Sequence, residues 1–71
     1  MAAAIELRAD LSGDDLRRLA RDSGDAKQVR RLLVLAVIRE GGTRTEAART
    51  GGVGLQIVRD WVMRFNAEGP D

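Results

Sequence analysis

The sequence contains no cysteine and no histidine. Without thiols there is no disulfide and no thiolate nucleophile, a usage that fits a reducing cytoplasm. Without imidazole, zinc fingers and histidine acid–base catalysis are excluded, and any metal would need a cage of carboxylates. Long apolar runs are missing too. The longest, residues 32–38, has seven residues, against the roughly 20 that a membrane-crossing helix needs. Met1-Ala2-Ala3-Ala4 has neither the basic start nor the apolar length of a secretory signal. The expectation is therefore a soluble cytoplasmic protein with no membrane partner. Large aromatics are limited to Trp61 and Phe65, which share a helix face with Val58 and Val62 and are read as core rather than as base-stacking platforms.

Seventy-one residues bound the chain to one domain, and a chain of this size buries only about 60% of its unfolded surface. The net charge of +1 conceals a segregation along the chain. Residues 1–26 carry four arginines against six acids; the tail adds Glu68 and Asp71. Residues 27–64 carry Lys27 and seven arginines against only Glu40, Glu46 and Asp60, a surplus of five positive charges. That basic portion suits a polyanion, although solvated helix faces are often charged without one.

Four helices are expected. Ser12 with Asp15 three residues on forms a capping box, and Leu11 can staple to Leu16, so a first helix should cover residues 13–21 with Leu16, Leu19 and Ala20 as its apolar stripe. Either Ser23 or Asp25 can cap a second, running to about Glu40 before Gly41-Gly42. This helix is apolar almost all round through Val29, Leu32, Leu33, Val34, Leu35, Ala36, Val37 and Ile38, which marks either a central core helix or a homodimer contact. Thr43 or Thr45 caps a third that ends near Thr50, and a fourth begins near Gly54 and stops at Gly69-Pro70. Ile5-Glu6-Leu7-Arg8 alternates as a short extended piece would, so residues 1–9 are read as extended or flexible.

The last two helices carry the function. Within residues 46–61, Ala47 and Ala48 are small enough for a crossing helix to approach, Gly51 and Gly52 offer a position for positive φ, and Val53 fills the corner. Two short helices joined by such a turn form a helix-turn-helix, whose second helix enters the DNA major groove. The unit spans about residues 43–68. Val58, Trp61, Val62 and Phe65 recur on one face of the fourth helix, leaving Leu55, Gln56, Arg59, Asp60 and Met63 outward. Gln56 and Arg59 match adenine and guanine edges, and Leu55 a thymine methyl. Thr43, Arg44 and Thr45 at the start of the third helix suit phosphate, with Arg64 and Arg49 as further cationic candidates.

Enzyme readings find no footing. Asp14 and Asp15 are neighbours on a helix, about 100° apart, at an N-terminus that favours acids anyway. Gly51-Gly52-Val53-Gly54 lacks the preceding strand and following Gly-Lys-Ser/Thr of a phosphate-binding loop. No catalytic residue, metal ligand or cofactor is expected.

The stretch from Glu46-Ala47-Ala48-Arg49 to Val58-Arg59-Asp60-Trp61 resembles the helix-turn-helix of insertion-sequence transposases, specifically the homeodomain-like N-terminal domain of the mariner-related bacterial group. Leu11-Ser12, Arg30-Arg31-Leu32-Leu33 ending at Gly41-Gly42, and Arg64-Phe65-Asn66-Ala67-Glu68-Gly69-Pro70 follow the family's order, so the resemblance covers nearly the whole chain. Gly54, Leu55 and Asp60 depart from it, standing where a Ser or Thr cap and polar or basic residues are usual. The resemblance implies an all-α, compact four-helix homeodomain-like domain that binds double-stranded DNA at terminal inverted repeats during transposition, a DNA recombination. Members normally continue into a second DNA-binding segment and a magnesium-dependent carboxylate-triad domain, of which these residues hold no part. The binding half of a transposase, a truncated remnant and a standalone regulator are all compatible with that. A different class also stays open: a helical dimerisation or adaptor module using the second helix as its interface.

Overall fold

A computed structural model of the chain describes residues 6–70. It contains α1 (Gly13–Asp22), α2 (Ala26–Arg39), α3 (Arg44–Gly51) and α4 (Leu55–Glu68), with no strand among the described residues. The all-α, four-helix class expected from the sequence is the one observed.

α1, α2 and α3 each begin at a side-chain cap. The Ser12 hydroxyl accepts from the Asp15 N–H at 3.0 Å while Asp15 accepts from the Ser12 N–H at 3.0 Å, closing the capping box of α1. Of the two candidate caps for α2, Asp25 serves, accepting from the Lys27 N–H at 2.9 Å. Ser23 instead takes the Asp25 N–H and donates to Gln28. At α3 the cap is Thr43 rather than Thr45, in a second capping box with Glu46.

Three helices end at a glycine with positive φ, α4 at Gly69 (φ 83°) and two others through paired backbone bonds. Gly41, at φ 96°, and Gly42 close α2 with N–H donations to Ile38 and Val37 carbonyls, the paired bonds of a Schellman motif. Gly52 (φ 65°) and Val53 close α3 the same way onto Arg49 and Ala48. Positive φ thus falls on Gly52 alone of the Gly51-Gly52 pair. Gly51 is the last helical residue, buried against α2, where an added Cβ would stand 2.6 Å from Val34 Cγ2.

Leu16 and Ala20 of α1, Leu32, Val34, Leu35 and Ala36 of α2, Ala47 and Ala48 of α3, and Val58, Val62 and Phe65 of α4 form one buried cluster. α2 lies at its centre, packed against all three other helices. This explains its nearly continuous apolar circumference: Val34, Leu35 and Ala36 are 0% exposed within one chain, and Val37 and Ile38 are half-buried. The surface that the dimer reading assigns to α2 is thus largely enclosed by its own fold.

The chain leading into α1 is held by side chains rather than a sheet. Asn66 of α4 accepts from the Arg8 N–H and donates to the Glu6 carbonyl, both at 2.8 Å, and Arg8 lies over the Phe65 ring at 5.7 Å while pairing with Asp10. Of residues 1–9, expected as extended or flexible, residues 1–5 lie outside the described residues. No helix among the described residues is long and apolar enough to cross a membrane.

Candidate nucleic-acid interface

Three residues, 52–54, separate α3 from α4, so the direction in which α4 leaves is set by the Gly52 turn and by Val53, which packs onto the core. Once there, α4 is oriented by burial. Val58, Val62 and Phe65 face inward at 0–2% exposure with Trp61 half-buried beside them. A 3.6-residue period then forces Gln56, Arg59, Asp60 and Met63 outward, and all four are exposed.

Of the candidate contacts on this helix, Leu55, Gln56 and Arg59 come together. Leu55 is 56% exposed, and the three lie within about 6 Å along the axis on one flank. Arg64 is exposed too, but five residues turn it about 140° round the helix from Arg59, onto the other flank. Ile57 was missed by the sequence reading: at 41% exposure it projects about a quarter turn away from the centre of the core face, although a β-branched apolar residue normally signals burial. Met63, at 49%, extends the exposed apolar surface beyond Arg59.

The first turn of α3 holds the other group. Eight residues of helix place it about 12 Å from the turn, so Thr43, Arg44 and Thr45 form a patch separate from the start of α4. Thr45 is exposed and Arg44 half-buried. The Thr43 oxygen already accepts from the Glu46 N–H at 3.0 Å, leaving its hydroxyl proton as what it can offer a phosphate. In return the Glu46 carboxyl is held below its usual pKa, first by the Thr43 backbone N–H and then by the Thr43 side chain.

Of the three acids that stand against the basic residues of 27–64, one, Glu40, is turned to a cation outside that segment. Glu40 receives a bidentate pair from Arg17 of α1 at 2.7 and 2.9 Å, which lowers its pKa. Glu46 closes its capping box, and Asp60 accepts from the Gln56 amide at 3.3 Å. Arg30, Arg59 and Arg64 are exposed and form no ion pair within 4.0 Å among the described residues. Arg30 also runs its stem past Gly51, beside the turn, a placement that no local sequence signal gives. A shallow cleft of about 500 Å³ opens next to it, between the first half of α2 and Thr50. Gly54 caps α4 with backbone alone, so no side chain satisfies the first N–H groups of that helix.

Comparison with known proteins adds little functional information. No family model matches the chain, and no solved structure does. The chain is similar to an uncharacterized protein, y4pG/y4sC, of Sinorhizobium fredii, with 62% identity over 71 residues. That alignment takes in 100% of the chain, which spans 37% of the length of this curated relative.

Proposed function

We propose that this domain binds double-stranded DNA sequence-specifically through α3, the turn and α4, in the manner of the terminal-repeat-binding, homeodomain-like domain of a transposase, and that it acts in the cytoplasm without catalysing a reaction itself. The observation that carries the reading is the division of α4 into a buried face and an exposed one bearing Gln56 and Arg59. An α-helix about 10–12 Å across fits a major groove about 12 Å wide. In this arrangement Arg59 pairs with guanine, Gln56 with adenine and Leu55 with a thymine methyl, while Thr43, Arg44 and Thr45 hold one phosphate strand and Arg64 the flank of the groove.

Two substitutions test the assignment. Arg59→Ala is expected to lower affinity for the preferred duplex by roughly 1–3 kcal/mol and to relax the choice of base at one position. Arg44→Ala should weaken all duplexes alike and reduce the salt slope by about one. Wild-type binding curves from both variants would remove the orientation proposed here.

A further inference from the structure

Asp60 is out of place on a helix that approaches phosphates. It is exposed on the outward face of α4, one residue after Arg59, and among the described residues it forms no ion pair within 4.0 Å. Its side chain accepts a hydrogen bond from Gln56 a turn earlier: the Gln56 Nε2–H donates to Asp60 Oδ1 at 3.3 Å. A carboxylate accepts, so the group turned toward it is the amide nitrogen, and the pair favours that one of the two flipped amide orientations.

The consequence is chemical. An untethered glutamine has two N–H donors and one carbonyl, and can meet either purine: adenine with one donor and the acceptor, guanine with two donors on N7 and O6. With one Nε2–H committed to Asp60, one donor and Oε1 remain. That pair complements adenine, whose N7 accepts and whose N6 donates, and fails against the two acceptors of guanine. The carboxylate adds a repulsion toward guanine O6 and toward phosphate, so it lowers overall affinity while sharpening choice.

Building on the DNA-binding reading above, we propose that Asp60 is a positioning residue that makes Gln56 selective for adenine over guanine. It fixes the amide and contacts no base itself.

The test uses fluorescence anisotropy on the duplex that the wild type selects from a random pool, and on the same duplex with each A·T pair changed in turn to G·C. Gln56→Ala identifies the pair that Gln56 reads, as the position where adenine preference disappears. At that pair the wild type should favour adenine by about 10-fold, within the range of a bidentate contact. Asp60→Ala should bring the preference within about threefold there, leave other positions unchanged, and raise affinity for every duplex because a negative charge has gone. Adding Asp60→Ala to Gln56→Ala should change no preference further. Both residues are exposed, so helical circular dichroism should match the wild type in all variants. Full adenine preference in Asp60→Ala, or an equal loss at every position, would overturn the positioning role. A wild type that binds duplexes without any preference, or binds none, would remove the recognition reading itself, a result distinct from either.

Discussion

Gly51 and Gly52 are adjacent and chemically identical, yet the fold uses them for different reasons, and substitution separates the two. Gly52 needs φ of 65° and has open space around it, so Gly52→Ala should cost about 1–2 kcal/mol through backbone strain alone. Gly51 has ordinary helical backbone, and its added methyl would collide with Val34; Gly51→Ala should cost about 1–3 kcal/mol by overpacking. The added methyl has room once Val34 is shortened, so in urea denaturation Gly51→Ala combined with Val34→Ala should lose less than the sum of the single changes. Strict additivity would show that Val34 is not the obstacle. A glycine pair before Val53 is legible as a turn in the sequence. Which glycine serves which need is not, because the collision comes from a residue 17 positions away on another helix. The same limit hid the exposure of Ile57 and the position of Arg30.

Helix boundaries were readable to within a residue or two because capping is local. Ser12 with Asp15 and Thr43 with Glu46 are reciprocal pairs three residues apart, and both form. The choice of Asp25 over Ser23 at α2 was not readable, since it turns on Ser23 being drawn to Gln28. Nor was the clamp of Asn66 on residues 6 and 8, which joins opposite ends of the chain. The caps predict unequal responses. Thr43→Ala should cost about 1 kcal/mol and lower the thermal midpoint by several degrees, whether or not DNA is present. Thr45→Ala, off the cap and exposed, should leave the midpoint unchanged and weaken duplex binding only. Gly54, extended at φ −82° with open space around it, should accept serine with a gain of a few tenths of a kcal/mol, about 1–3 °C. A fall in the midpoint of Gly54→Ser would mean the start of α4 is more crowded than the structure shows.

At the scale of the whole molecule, stability should respond to pH through carboxylates. Asp10 beside Arg8, Asp15 in its capping box, Glu40 beside Arg17 and Glu46 in its capping box all have pKa values below the ordinary ones. The unfolded chain therefore binds protons more readily at these sites. Their stabilisation is complete above the ordinary glutamate value of 4.5 and is lost as pH falls through the lower folded values. Thermal midpoints should be flat between about pH 5.5 and 7, where neither histidine nor cysteine titrates, and should drop below about pH 4.5. Because Val34, Leu35 and Ala36 of α2 are buried within one chain, sedimentation should show a monomer without DNA. The central claim is that the unpaired positive charge and the outward face of α4 meet a duplex. It is tested most directly by fluorescence anisotropy of labelled mixed-sequence duplexes titrated with the protein at about 50 and 200 mM salt. With roughly four phosphate contacts, affinity should fall about 100-fold between the two. A folded protein that binds no duplex at the lower salt, or binds equally well at both, would contradict the account.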